Sequence, residues 1–315
     1  MNDPLARLLS DVRPRGALFD RSWLPSPWSM RFVDDGPLSL VTMLRGHGWV
    51  RAGAAEPVRI GRGDVAILIG PEPYEVADQP GTPPQMIVQG DLCSTAEGRA
   101  IDDTPDLCSD RWDSSTSTSV VLKGTFSTHS GVGDRVLHEM PPVLTVTADS
   151  LSTPMVDAIA RELERDRLGQ QAILERLLEL LLVTALREWL DQPGSDRPAW
   201  YRAQDDPVVG PALALLHQRP TEPWTVTSLA RHVAVSRSTF ARRFTELVGV
   251  APMAYLASWR VCLAGDLLRD TDESVGAIAR QVGYANAYTL SAAFVRHHGV
   301  RPTTHRRAGP TPPGR

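Results

Sequence analysis

The chain has 315 residues and a formal net charge of −4, from 33 basic and 37 acidic side chains. At about 150 residues per domain this length suits two domains, and 42% apolar with 22% charged residues excludes wholesale disorder. No apolar run approaches the roughly 18 residues of a membrane span, residues 1–15 lack the apolar stretch of a secretory signal, and Cys93, Cys108 and Cys262 are too few for a disulfide scaffold. The expectation is a cytoplasmic protein with no membrane partner.

Up to about Pro142 the chain is a series of short apolar runs broken by Gly, Pro, Asp and Ser, among them Leu38–Leu44, Gly48–Arg51, Val65–Ile69, Gln85–Val88 and Val120–Leu122. Such runs, about ten residues apart, predict the strands of an all-β sandwich or barrel. Cys93 and Cys108 flank an acidic, polar loop (Asp102, Asp103, Asp106, Asp110) and form a redox pair only if that loop brings the sulfurs together. His47, His129 and His138 show no metal-ligand spacing, so no metal is expected.

From Thr153 to Leu190 the period becomes helical: Leu174, Leu177, Leu178, Leu181, Leu182, Ala185, Leu186 and Trp189 share a broad face. The stripe Leu174, Leu178, Leu181, Ala185, Trp189 either packs on its own barrel or forms a dimer seam. Asp191 to Pro198 then reads as a loop or linker. Beyond it, from Leu213 onwards, 13 arginines stand against six acidic residues, a surplus of seven positive charges in a chain that is acidic elsewhere. The back of the molecule is therefore the part that meets a polyanion.

That basic region repeats itself. The run Thr225 to Val233 pairs with Ser274 to Val282, Phe240 and Phe244 pair with Leu290 and Phe294, Gly249-Val250 with Gly299-Val300, and Pro252 with Pro302. In each copy a hydroxyl residue, Thr225 or Ser274, caps a short helix with one apolar face. A break of about three residues follows, with Gly283 suited to positive φ in the second copy. A second helix then starts after Ser236 or Asn286, its buried spacing being Phe240, Phe244 and Leu247 in one copy and Leu290 and Phe294 in the other. Two short helices joined this way make a helix-turn-helix, whose second helix enters the DNA major groove. Off its apolar face, copy one carries Arg237, Ser238, Ala241, Arg242 and Arg243, and a bidentate arginine–guanine pair discriminates by about 1–3 kcal/mol. Copy two offers Ala287, Tyr288, Ser291, Ala292 and Val295, which suit thymine methyls and groove shape. Pro252 opens the helix between the copies, and a rod of about 27 Å holds two such motifs roughly one DNA turn apart.

These features resemble the AraC/XylS transcriptional regulators. The resemblance is carried by Ser274-Val275, Ile278-Ala279, Val282-Gly283-Tyr284, Phe294, Gly299-Val300-Arg301-Pro302 and Arg306-Arg307, and by Trp224, Ser236 to Phe240, Pro252, Tyr255 and Trp259-Arg260. Residues 3–190 resemble the cupin-like sensory domain of one branch of that family, through Pro27 to Phe32, Leu44-Arg45-Gly46, Pro57 to Ile60, Gly63-Asp64-Val65 and Pro141 to Leu144. Tyr74 stands where a metal-binding cupin usually has His, and Lys123-Gly124 where some oxidant-sensing relatives have Cys-Gly, so neither chemistry carries over.

The resemblance implies an α+β chain: a cupin-like β-barrel with following helices, then an all-α domain of two helix-turn-helix motifs joined by a linker helix. The expected divisions are 1–150 (barrel), 151–191 (helical, dimerising), 192–206 (linker), 207–307 (DNA-binding) and 308–315 (tail). The function it implies is a sequence-specific DNA-binding transcriptional regulator, more often an activator, that senses a small molecule or chemical stress. The alternatives are a metal-dependent cupin enzyme fused to a DNA-binding domain, and a regulator whose barrel only dimerises. Expected base readers are Arg237, Ser238, Ala241, Arg242, Ala287, Tyr288 and Ala292. Expected backbone contacts are Arg243, Arg260, Asn286, Arg296, Arg301 and Arg306. The expected partners are promoter DNA, RNA polymerase, an unidentified effector and a second copy of the chain, with no cofactor and no catalytic residue.

Overall fold

The computed structural model describes residues 5, 7–8, 12–14, 22–24, 26–33, 36–90, 92–100, 119–127, 131–148, 152–165, 167–194 and 196–307. They divide into two compact units. One comprises residues 12–128 and 140–196; the other comprises 1–11, 129–139 and 197–315.

Among its described residues the first unit holds twelve strands: β1 (Arg13–Pro14), β2 (Ser22–Leu24), β3 (Ser29–Phe32), β4 (Leu38–Arg45), β5 (His47–Ala52), β6 (Val58–Gly61), β7 (Val65–Ile69), β8 (Tyr74–Ala77), β9 (Met86–Gln89), β10 (Leu92–Thr95), β11 (Ser119–Ser127) and β12 (Val143–Val146). They form two six-stranded sheets. One runs β1-β11-β4-β7-β12, with β2 also on β11; the other runs β10-β9-β3-β8-β5-β6. Among the described residues every pairing between these strands is antiparallel except β3 with β9. Alternation along the strands sends Trp28, Met30, Phe32, Val41, Met43, Val50, Tyr74, Val76 and Val121 into one shared core.

Lys123, the sole lysine of the chain, is 5% exposed on β11, opposite Val41. Its Nζ lies 4.6 Å from the centre of the Phe32 ring, which stacks on Tyr74 at 4.9 Å. The next residue, Gly124, faces the other way: a Cβ there would stand 3.1 Å from Leu178 Cδ1, so the missing side chain lets a helix lie close on that sheet.

After α1 (Gly131–His138), which belongs to the second unit, come α2 (Thr153–Leu163) and α3 (Gln170–Asp191) of the first. The stripe Leu174, Leu178, Leu181, Ala185 and Trp189 is buried within this unit, so it packs on its own domain and is not an open seam. What α3 leaves exposed is a neighbouring line with Ile173 and Leu180, each 48% exposed, and Leu177 partly buried between them. The sequence pattern could not separate the two, because apolar residues run almost around the helix.

The second unit is helical: α4 (Ala199–Arg202), a 3-10 turn (Ala203–Asp205), α5 (Val209–Gln218), α6 (Val226–His232), α7 (Arg237–Val248), α8 (Pro252–Asp270), α9 (Val275–Gln281), α10 (Ala287–His298) and α11 (Pro302–Arg307). Around α8, Trp259, Val261, Cys262, Ala264, Leu268, Ile278, Ala279, Leu290 and Phe294 form one core, joined by Val132 of α1. A segment placed from sequence in the front, all-strand domain is thus a helix that contributes a core side chain to the back one. No single helix among the described residues is long and apolar enough to cross a membrane.

Candidate nucleic-acid interface

The two repeats become two matched helix pairs, α6–α7 and α9–α10. In copy one the Thr225 side chain accepts the Ser228 N–H at 3.0 Å, and the Ser228 hydroxyl accepts the Thr225 N–H at 2.9 Å, closing a capping box. Ser236 caps α7 by accepting from Thr239 N at 3.1 Å. In copy two Ser274 accepts from Ala277 N at 3.2 Å, and Asn286 from Thr289 N at 2.9 Å. Each such cap contributes about 1 kcal/mol. Both second helices stop at a left-handed glycine, Gly249 (φ +85°) and Gly299 (φ +72°).

The turns between the paired helices also match. Gly283 has φ +89°, and Ala234, its counterpart in copy one, takes φ +54°, the sole positive-φ non-glycine among the described residues. The fold demands the same turn twice and gets it once from a residue that resists it.

Phe240 and Phe244 are fully buried on α7, their rings 5.7 Å apart, and Phe244 meets Tyr255 of α8 edge-on at 5.8 Å. Leu247, expected on this inner face, is 37% exposed, and Val248 takes the buried place. The Tyr255 hydroxyl lies 2.8 Å from His217 Nε2. Burial lowers His217 to about 3, so the imidazole is neutral, and burial raises the Tyr255 phenol.

With the aromatic face inside, α7 leaves Arg237, Ser238, Thr239 and Arg242 exposed and Ala241 partly so. Arg242 reaches Glu246 one turn on, at 2.9 and 3.1 Å, an exposed pair of little net strength that leaves the guanidinium available. On α10 the corresponding surface carries Ala287, Tyr288 (82% exposed) and Ala292. Arg237, Arg296 and Arg301 are exposed, and their side chains have no hydrogen bond or ion pair among the described residues. Asn286 is exposed as well, its Oδ1 engaged in capping.

Three arginines expected on the DNA backbone are held by the protein. Arg260 Nε donates to Pro220 O at 2.6 Å and its Nη2 to Glu222 O at 2.8 Å. Arg306 donates through Nε to Leu268 O at 3.2 Å and through Nη2 to Glu273 O. Arg243 makes a two-pronged pair with Asp206 Oδ2, at 2.8 and 2.5 Å. Asp206 Oδ1 meanwhile accepts the N–H groups of Val208 and Val209 at the start of α5. The Arg243 guanidinium holds the Asp206 carboxyl below the usual carboxylate range. Backbone carbonyls, invisible in a sequence pattern, are what engage Arg260 and Arg306, two of the arginines that the sequence offers for phosphates.

In the front half Cys93 lies on β10 and packs against the core, whereas Cys108 falls outside the described residues. His47 is exposed on β5, His138 is exposed on α1, and His129 falls outside the described residues. Among the described residues no three His, Cys, Asp or Glu side chains gather as a metal site.

Residues 3–191 match the Cupin family and residues 229–308 the helix-turn-helix domain family. An AraC-like transcription regulator of Streptomyces lividans is 32% identical over 311 residues, covering 97% of this chain and 98% of that one. The chain belongs to the AraC-like transcription regulators. It is a DNA-binding regulator with a cupin N-terminal domain and an AraC-type helix-turn-helix domain. Another relative, the regulator AlkR of Acinetobacter baylyi, is 35% identical over 148 residues, 47% of this chain and 48% of that one. A solved structure, the DNA-binding domain of AdpA in complex with a target DNA, is 35% identical, covers 33% of this chain and 93% of that one, and has a TM-score of 0.31.

Proposed function

We propose that this AraC-like regulator reads its operator chiefly through α7 and uses α10 as a weaker second reader. The observation that carries this is the open surface of α7, where Arg237, Ser238 and Arg242 stand exposed at its N-terminal half, the end of a recognition helix that meets base edges. Arg237 and Arg242 are suited to guanine, Ser238 and Ala241 to adjoining edges. Ala287, Tyr288 and Ala292 suit thymine methyls and shape. Arg296, Arg301 and the amide nitrogen of Asn286 contact phosphates.

The cupin domain senses a small molecule or chemical stress and changes promoter occupancy, with activation through RNA polymerase as the outcome. The protein works beside the chromosome in the cytoplasm and is no enzyme, a reading supported by relatives named as transcription regulators. It works as a homodimer, joined along Ile173, Leu177 and Leu180, because such a line is apolar, spaced at one face of a helix and uncovered within its own unit.

The test is binding of purified protein to DNA from its own upstream region at two salt concentrations, with and without mild oxidant. A protected site that survives competitor DNA at moderate salt is expected. Binding that is unlocalised and lost at moderate salt would remove the base-reading assignment. A change with oxidant would implicate Cys93 and Cys108.

A further inference from the structure

The DNA-binding unit contains a segment that its sequence position does not announce. Helix α1 is flanked in the chain by β11 and β12, both strands of the cupin sheet, yet it packs on α8. The Gly131 N–H donates to Asp266 Oδ1 at 2.5 Å. A Cβ on Gly131 would lie 3.2 Å from Arg269 Nη2 and 3.5 Å from Cys262 O, so the two helices touch here with nothing to spare. Val132 is fully buried with Trp259, Ile278 and Phe294.

One turn on, Arg135 reaches two residues of α8 at once. Its Nη1 donates to Ser258 Oγ at 3.0 Å, and its guanidinium carbon lies 4.7 Å from the centre of the Tyr255 ring. Each contact leads to a different recognition helix. Tyr255 packs against Phe244 of α7, and Ser258 Oγ lies 2.8 Å from His297 Nε2 near the end of α10.

We propose that Arg135 is a positioning residue for DNA binding: from a helix supplied by the cupin half of the chain, it fixes α7 and α10 relative to each other through Tyr255 and Ser258. The positioning role builds on the DNA-binding assignment and needs no effector to be tested.

The experiment uses the full chain and an operator selected from random duplexes by the wild-type protein. Replacing Arg135 with Ala is expected to weaken operator binding tenfold or more while changing affinity for random duplex less than twofold. Arg135→Lys keeps a donor for Ser258 and should restore part of the loss. Ser258→Ala should cost a few-fold alone and nothing further beside Arg135→Ala, since both cut the same link. Amide exchange should quicken in residues 252–260 and 287–298 and stay unchanged in the cupin strands. Operator affinity within twofold of wild type in Arg135→Ala overturns the proposal, as does equal loss for operator and random DNA in a folded variant. If Arg135→Ala does not fold, Arg135→Lys decides: faster exchange confined to 131–139 overturns the proposal, and exchange spreading to 287–298 supports it.

Discussion

The guanidinium of Arg260 occupies the space that a side chain on Gly283 would need. A Cβ at Gly283 would lie 2.9 Å from both Arg260 Cζ and Nη2, and 2.9 Å from Thr221 Cα. Arg260 is at the same time hydrogen-bonded to the carbonyls of Pro220 and Glu222, just ahead of copy one. One arginine of α8 thus ties the approach to the first motif to the turn of the second.

Gly283→Ala is therefore expected to destabilise the helical unit by about 1–3 kcal/mol, from positive-φ strain together with the clash. Ala234→Gly, at the matching turn of copy one, should stabilise by up to about 1 kcal/mol, since it relieves the same strain with no Arg260 beside it. Thermal unfolding of the two full-length variants should move the helical transition in opposite directions; equal shifts would contradict the reading of the paired turns.

Arginines on the reading face and arginines inside the scaffold should fail differently. Arg242→Ala should relax preference at one base position by about 1–3 kcal/mol with little change in melting temperature. Arg301→Ala should weaken binding to every sequence and lower the slope of log affinity against log salt by about one. Arg260→Ala should lower thermal stability before it alters that slope. Operator-variant titrations at several salt concentrations, with melting curves alongside, separate the three.

Acid should loosen the helical unit through its buried histidines. Burial lowers His217 to about 3 and His298 to about 4, and also lowers His297 and His305. Their pKa values in the unfolded chain stay near 6.5, so below that pH the unfolded chain takes up protons that the folded one refuses. For His217 and His298 the contribution is complete above pH 6.5 and is lost as pH falls toward 3 to 4, at about 1.4 kcal/mol per pH unit for His217. Glu139, raised by burial, works against the trend, and Asp206 matters only nearer its ordinary range. Melting temperature should fall from pH 6.5 to 5, and less steeply in His217→Gln; an unchanged slope in that variant would exclude His217 as a source.

The open line on α3 gives a fourth test. Leu180→Glu should yield monomers in sedimentation velocity with the melting temperature little changed. Leu178→Glu, two positions back and buried over Gly124, should instead unfold the cupin unit by placing a charge in its core. A dimer that survives Leu180→Glu would move the interface elsewhere.

The helical half was legible because its signals are local: hydroxyl and amide caps, a four-residue aromatic spacing, and two copies to check against each other. Leu247 misled because the spacing from Phe244 suits burial, yet the helix ends at Gly249 and the inner position falls to Val248. The commitments of Arg243, Arg260 and Arg306 were not legible, since a sequence gives the charge of an arginine and not the carboxylate or carbonyls it finds tens of residues away. The sequence marks Lys123 as the sole lysine and as a departure from a Cys-Gly pair, and neither says where it lies. Its burial beside Phe32 depends on two sheets meeting face to face, which strand periodicity does not specify. The docking of α1 was hidden for the same reason: nothing in eight residues between two strands says which core will take Val132.

That docking also bears on how such chains are cut and recombined. The stretch 192–206 looks like the natural place to exchange one front half for another. A chimera joined there keeps every helix from α4 onward but inherits a foreign loop where Val132 and Arg135 should be. Grafting residues 1–11 and 129–139 along with the C-terminal half restores the missing pieces, so the exchangeable module in this regulator is discontinuous in sequence.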